Sequence, residues 1–139
     1  MIISRLSGID AKDIYINLAL TGKEAEIDLL SIANPKSLQF GCKLSPLVKP
    51  GIIKKIIGLE EIANIPDVVS VNPSYREGDM VMGEGTLKQI VCRFFIISNS
   101  KKELINTIKS IYRILKVKDE NGENMLIGEF NTNIIEQYY

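Results

Sequence analysis

The chain has 139 residues, of which 45% are hydrophobic and 24% are charged, a composition typical of a globular protein rather than a disordered or fibrous one. Lys and Arg together number 17, as do Asp and Glu, so the formal net charge is zero and no overall field attracts nucleic acid or anionic lipid. No apolar run approaches the roughly 20 residues that span a bilayer, and the N-terminus has no signal-peptide pattern. The sequence therefore predicts a cytoplasmic protein without a membrane or nucleic-acid partner.

Histidine is absent, and the two cysteines, Cys42 and Cys92, do not have the spacing of a zinc site. The absence of histidine removes the commonest general base and every Ser-His or Cys-His nucleophile pair. We therefore predict neither a metal site nor a catalytic residue within the chain. Cys92 shares a strand phase with Ile90, Phe94 and Ile96, which predicts a buried thiol.

The first 45 residues are predicted to form a strand and a helical hairpin that precede the main domain. Asp10 is a suitable cap for the first helix and Gly22 a suitable stop, with Ile14 and Leu18 on the inner face. A further strand leads toward the main domain. The predicted elements are, in order, a strand over residues 1–8, helices over residues 11–20 and 23–33, and a strand over residues 37–45.

Residues 46–139 are predicted to form an α+β domain with the ferredoxin-like order β-α-β-β-α-β, in which both helices cover one face of an antiparallel sheet. The clearest helix begins at Ser100, which fits a capping box with Glu103, and has one apolar stripe. Asn121-Gly122 predicts the turn of a C-terminal β-hairpin. The predicted elements are strands over residues 52–57, 68–75 and 87–97, a last strand from Lys116, and helices over residues 58–65 and from Ser100.

The most distinctive polar group is Arg5, which has Ser4, Ser7 and Gly8 beside it. An arginine at a strand end beside such a turn can hold a carboxylate or phosphate through two parallel hydrogen bonds. The alternative for Arg5 is a solvated surface side chain.

The loop over residues 75–86 holds a second set of candidates. Its Gly83-Glu84-Gly85 segment is a weak phosphate-binding signal, because a strand follows it instead of the helix that such sites use. Arg76, Glu77 and Asp79 lie in the same loop, and none has an obvious partner in the sequence. A separate basic cluster is expected to be a solvated face and consists of Lys43, Lys49, Lys54 and Lys55.

Three stretches of the chain resemble the carboxy-terminal part of ATP-grasp ligases, particularly the L-amino acid ligase and carbamoyl-phosphate-synthase-like branch. Each stretch is degenerate, but their order and spacing follow those of the family. The stretches are Ser4–Gly8 with the following helix and Thr21-Gly22, then Pro50–Val68, and then Glu77–Val81 with Ser100–Leu104 and the helix after it.

The resemblance implies that a full-length relative uses ATP and Mg²⁺ to convert a carboxylate into an acyl phosphate, which an amine then attacks. In that family a Glu and an Asn before the Arg hold Mg²⁺, and the corresponding positions here are Met1 and Ile3. The chain alone is therefore expected neither to bind ATP productively nor to catalyse ligation. An ATP-binding N-terminal portion or partner subunit is implied, and Arg5, with Ser7 and Gly8, is implied to contact the substrate carboxylate or acyl phosphate.

Two functions remain open on the sequence. The first is a non-catalytic C-terminal domain of an ATP-grasp ligase, which caps the active site and shapes the substrate pocket or a homodimer. The second is a free-standing ferredoxin-like module that binds an amino acid at a sheet-to-sheet dimer interface. Apolar surface left bare on residues 1–45 favours the first function, and a self-contained fold of those residues favours the second.

Overall fold

The computed structural model describes residues 9–23, 39–83 and 85–138 and shows an α+β fold with small antiparallel sheets. A single 3-10 turn, Leu87–Gln89, precedes the longest strand. The helices are α1 (Ala11–Thr21), α2 (Leu59–Ala63), α3 (Lys101–Ile114) and α4 (Asn133–Tyr138). The strands are β1 (Phe40–Leu44), β2 (Gly51–Ile52), β3 (Lys55–Ile57), β4 (Val68–Pro73), β5 (Met80–Val81), β6 (Cys92–Ser98) and β7 (Lys116–Lys118).

Strand β6 is the centre of the fold. It pairs antiparallel with β1 on one side and with β4 on the other, so that Phe94 lies opposite both Leu44 and Val71. Its side chains alternate between buried and half-buried positions, as the sequence predicted from the phase of Cys92, Phe94 and Ile96. Strand β6 therefore contributes one continuous row of side chains to the core.

Helix α3 covers the sheet with its predicted apolar stripe. The Ser100 hydroxyl accepts a hydrogen bond from the Glu103 N–H at 3.2 Å, which begins the helix at the predicted residue. The stripe is buried, and the Leu115 N–H bonds to the Ile111 carbonyl where the helix ends. The fully buried side chains around this contact include Ile53, Ile62, Phe94, Ile96, Ile108, Ile111, Leu115 and Val117.

The two cysteines should differ sharply in reactivity. Cys92 is only 1% exposed, and burial raises the pKa of its thiol to about 11; Cys42 is half-buried, and burial raises its pKa as well. Since the thiolate is the reactive form, we expect iodoacetamide at pH 8 to label Cys42 and to leave Cys92 unmodified. Mass spectrometry of the native protein, with a urea-unfolded control in which both sites react, checks this. Equal labelling of the two sites in the native protein would contradict the burial of Cys92.

From β3 to β7 the elements follow in the order β-α-β-β-β-α-β, which adds the two-residue strand β5 to the predicted ferredoxin-like order, and their pairing differs from a single ferredoxin-like sheet. The described strands form one three-stranded sheet and two separate two-stranded ribbons, in which β2 pairs with β5 and β3 pairs with β7. Strand β1 occupies the side of β6 where a ferredoxin-like sheet would place β3. The sheet thus includes residues on both sides of the boundary predicted at residue 45, and the division into two units stays a prediction.

Two predicted strands are shorter than expected, because some of their backbone groups form hydrogen bonds in loops and turns instead of pairing with another strand. The predicted strand over 52–57 divides at Ile53, whose N–H and carbonyl bond to Asp79 and Gly78 in a loop. The predicted strand over 87–97 begins only at Cys92. Its first residues form the 3-10 turn, which the Thr86 hydroxyl caps by accepting from the Lys88 N–H.

The two ends of the chain depart from expectation in different ways. Residues 1–8 and the helix predicted over 23–33, except Lys23, lie outside the described residues. The chain turns at Asn121-Gly122 as predicted, but only Gly122 has a positive φ, so the turn is not of the type I′ that this pair favours. The Asp119 carboxylate accepts from the Asn121 and Glu123 N–H groups, and a single bridge joins Lys118 to Asn124. The second arm of the C-terminal hairpin leaves β7, because Leu126 bridges to Val48 instead.

Candidate functional site

The residues that the sequence singled out as a substrate site, Arg5, Ser7 and Gly8, lie outside the described residues, as do Met1 and Ile3. Their role stays a prediction. Three other features of the described residues bear on function: a polar cleft, a pair of buried polar contacts, and the exposed helix α1.

The cleft has a volume of about 550 Å³ and is bounded by the loop over residues 74–79. Ile56 from β3 and Leu59 from α2 contribute an apolar wall, together with the half-buried ring of Tyr75. Arg76, Glu77 and Asp79 form the rim. We call this space the loop cleft.

The loop is held in place by its own carboxylates, which the sequence did not predict. One oxygen of Glu77 accepts from the Ile56 N–H at 3.2 Å, and one oxygen of Asp79 accepts from the Arg76 N–H at 2.7 Å. The Gly78 N–H adds a bond of 2.7 Å to the Ile53 carbonyl. The contacts of Glu77 with Ile56 and of Gly78 with Ile53 join residues more than 20 positions apart, so no local sequence signal indicates them.

The rim retains polar groups that no other described residue contacts. Within the described part of the chain, the Arg76 guanidinium has no hydrogen bond or ion pair, and the second carboxylate oxygens of Glu77 and Asp79 have no donor. The loop cleft therefore presents one cationic group and two anionic ones beside an apolar wall.

Gly85 is tied to the fold through Gln89, a residue that the sequence did not single out. Gln89 is 4% exposed, and its amide donates to the Val48 carbonyl at 3.0 Å and accepts from the Gly85 N–H at 2.6 Å. Because the Gly85 N–H already has a partner, it does not point freely toward a phosphate. The position of Gln89 four residues after Gly85 was the only local signal for this contact.

Replacing Gln89 with alanine should lower the free energy of unfolding by about 1–3 kcal/mol, since it leaves a buried carbonyl and a backbone N–H without partners. Gln39→Ala is the matched control, because Gln39 is exposed and its amide bonds to the exposed Asn99 at 3.0 Å. The loss for this control should be within about 0.5 kcal/mol. Urea unfolding of both variants measures the difference. Equal losses would show that the buried amide contributes nothing beyond a surface contact.

A second polar contact involves Asp67, a half-buried residue in the turn before β4 whose partners Ser98 and Thr107 are buried. Its carboxylate accepts from the Ser98 hydroxyl and, at 3.2 Å, from the Thr107 hydroxyl, while its carbonyl accepts from the Ile97 N–H at 2.9 Å. Asp67 thereby joins β6 to α3. All of its named partners belong to the fold, so we assign it a structural role.

Helix α1 forms as predicted, but its packing does not follow the prediction. Asp10 caps it by accepting from the Lys12 N–H at 3.0 Å, and Gly22 ends it at φ 66°. None of its residues is buried, and Leu18, expected on an inner face, is exposed.

The exposed surface of α1 includes large apolar side chains. Tyr15 is 70% exposed and Leu20 81%, and Ile16 is also exposed. Positions i, i+1 and i+5 fall within about 140° of one another around a helix, so these three side chains lie on one side. A helix with one apolar side normally packs that side against the rest of the protein. Helix α1 therefore has the surface of a buried helix without, among the described residues, the partner that would bury it.

Two negative observations limit the chemistry of the described residues. They contain no group of three or more His, Cys, Asp or Glu side chains placed to hold a metal ion. No helix among them has the length and apolar character needed to cross a bilayer.

No family model and no curated protein matches the sequence. Two solved structures share its fold. An L-amino acid ligase from Bacillus licheniformis aligns with a TM-score of 0.71 at 19% identity, covering 86% of this chain and 29% of that one. A phosphoribosylglycinamide synthetase from Anaerococcus prevotii aligns with a TM-score of 0.69 at 14% identity, covering 86% of this chain and 30% of that one.

The chain thus spans about a third or less of the length of each enzyme. Both enzymes are ATP-grasp enzymes, the family that the motifs over Ser4–Leu104 resemble. At these identities the likeness establishes the fold and not the activity. In its fold, this protein corresponds to one portion of an ATP-grasp enzyme, as the sequence resemblance predicted.

Proposed function

We propose that the chain is a non-catalytic C-terminal domain of an ATP-grasp carboxylate-amine ligase, which caps the active site and shapes the substrate pocket in the cytoplasm. The observation that carries the proposal is the shared fold: 86% of the chain aligns with less than a third of each of two such enzymes. The sites for ATP and Mg²⁺ would then lie on the remaining portion, supplied by the same enzyme or by a partner subunit.

Helix α1 supports this proposal independently of the comparisons. Its uncovered residues Tyr15, Ile16 and Leu20 lie within the first 45 residues, where bare apolar surface distinguishes a domain of a larger enzyme from a free-standing module. The ATP-binding portion is the occupant that the proposal assigns to this face. Arg5 would reach the substrate carboxylate or acyl phosphate only after that portion completes the site.

A chimera tests the proposal. In the Bacillus licheniformis ligase, residues 4–139 of this chain replace the corresponding portion, so that the ligase keeps the Glu and Asn that the resemblance assigns to Mg²⁺, and ADP release is measured with L-amino acids and Mg-ATP. We expect the truncated ligase without that portion to be inactive and the chimera to recover turnover. Calorimetry with Mg-ATP reports whether the ATP-binding portion is folded. A chimera that binds Mg-ATP but shows no more turnover than the truncated ligase would refute the proposal.

A charged substitution on α1 tests whether the ATP-binding portion covers this helix. Leu20→Asp in the chimera should abolish the recovered turnover, because it puts a carboxylate into an apolar contact. Lys109→Asp, at an exposed position of α3, should leave the turnover unchanged. If both variants behave alike, α1 is not the face that the ATP-binding portion covers.

A further inference from the structure

The loop cleft has the features of a small-ligand site, and these features are separate from the proposed ligase role. Its volume of about 550 Å³ lies in the range of sites that hold small molecules. The bounding loop is fixed before any ligand arrives, because both carboxylates and the Gly78 N–H hold it to residues 53–56 or within itself. A ligand would therefore not have to order this loop, which keeps the entropic cost of binding low.

The apolar wall and the charged rim of the cleft would contact different parts of one ligand. Ile56, Leu59 and the Tyr75 ring offer an apolar contact. The Tyr75 hydroxyl is already used, since it donates to the Lys88 carbonyl. The ring is thus fixed in place, and its remaining contribution to a ligand is its apolar surface.

The charges on the rim select a ligand that carries both signs. The Arg76 guanidinium, which has no partner within the described residues, matches a carboxylate, for which a guanidinium supplies two parallel donors. The remaining oxygens of Glu77 and Asp79 match an ammonium group. A simple anion would meet two carboxylates on this rim, and a simple cation would meet Arg76, so neither fits all three groups.

We propose that the loop cleft binds a zwitterionic α-amino acid with an apolar side chain. The carboxylate of the ligand bonds to Arg76, its ammonium group to Glu77 and Asp79, and its side chain packs against Ile56 and Leu59. This proposal stands whether the chain is a ligase domain or a free-standing module, because the cleft is formed wholly by residues 56–79 of the chain.

Titration of the ¹⁵N-labelled chain with L-leucine, followed by amide chemical shifts, tests the proposal. We expect saturable shifts centred on residues 74–79, with a dissociation constant of about 1 mM for so open a site. Leucinamide lacks the carboxylate and N-acetyl-leucine lacks the ammonium group, and each should bind about tenfold or more weakly. If neither L-leucine nor L-phenylalanine shifts these amides, or if either blocked analogue binds as well as leucine, the proposal fails.

A pair of variants assigns the carboxylate contact to Arg76. Arg76→Gln should weaken leucine binding about tenfold and leave leucinamide binding unchanged, because leucinamide has no carboxylate to lose. A merely structural effect would weaken both ligands equally, and that result would overturn the assignment. Lys109→Gln removes the same charge at an exposed site away from the cleft and should bind leucine like the unaltered chain. If Lys109→Gln weakens leucine binding as much as Arg76→Gln does, the loss reflects the net charge of the chain and not a contact with Arg76.

Discussion

Gly58→Ala is expected to lower the free energy of unfolding by about 2–5 kcal/mol. Gly58 precedes helix α2 with φ at 96°, a conformation that costs an L residue about 1–2 kcal/mol. A β-carbon there would also lie 2.7 Å from both the carbonyl oxygen and a side-chain methyl of Ile114. Since the carbonyl belongs to the end of α3 and cannot swing aside, relief of this overlap should cost about 1–3 kcal/mol more.

Gly78→Ala separates the two causes. Gly78 has φ at 92°, but a β-carbon there would have no atom within 4 Å. Its variant should therefore lose only the conformational part, about 1–2 kcal/mol. Urea unfolding of the two variants, with the slope against denaturant unchanged, measures both losses. If Gly58→Ala and Gly78→Ala lose the same amount, the close approach of α2 to α3 does not constrain residue 58.

The Gly58 contact also gives a physical reason for part of the family resemblance. The stretch Pro50–Val68 resembles the family in its residue pattern, which includes Gly58 followed by Leu59 and two glutamates. In the structure this glycine is where the N-terminus of α2 meets the C-terminus of α3. A residue without a side chain at this point lets the two helices approach each other. The sequence pattern contains the glycine, but only the structure shows why a glycine is needed there.

Local signals predicted helices α1, α2 and α3 and the alternation of buried side chains along the central strand. The caps of Asp10 and Ser100, the stop at Gly22 and the alternation along β6 depend on residues within a few positions of one another. Such signals act through the backbone geometry of a single turn or strand and need no knowledge of the partner. The α+β class followed from them directly.

Pairing between distant segments could not be predicted in the same way. The backbone of Ile53 bonds to the loop at residues 78–79, and Lys54 bonds to Lys118. These contacts divide the expected first strand between two ribbons. Nothing in the residues over 52–57 distinguishes a strand that joins a large sheet from two short strands that pair with different partners. The presence of short strands with two helices among them was therefore predictable, whereas the sheet arrangement was not.

The residues of the loop cleft were likewise only partly predictable from the sequence. The loop cleft depends on Arg76, Glu77 and Asp79, which were noted in the sequence but had no partners there. Their placement beside Ile56 and Leu59 results from long-range hydrogen bonds. The sequence thus supplied the polar groups of the cleft, and only the fold supplied its apolar wall.

Asp67→Ala is expected to lower the free energy of unfolding by about 2–4 kcal/mol. Its carboxylate accepts from two buried hydroxyls, Ser98 at the end of β6 and Thr107 in the middle of α3. Hydrogen bonds to a charged acceptor contribute about 1.5–3 kcal/mol each, and the variant leaves both hydroxyls without this acceptor. Asp67→Asn keeps a carbonyl oxygen in the same place and should therefore lose less than half as much.

The double variant Asp67→Ala/Ser98→Ala shows whether the loss arises at this contact. Once the carboxylate is gone, the Ser98 hydroxyl is a buried donor that has lost its acceptor, so its removal should cost little or restore about 1 kcal/mol. In the unaltered protein the same Ser98→Ala change should be destabilising, because Asp67 then loses a donor. If Ser98→Ala destabilises the unaltered protein but not the Asp67→Ala variant, the side chains of Asp67 and Ser98 are energetically coupled. Additive losses would mean that β6 and α3 are held together by apolar packing alone, with Asp67 only a neighbour of their contact.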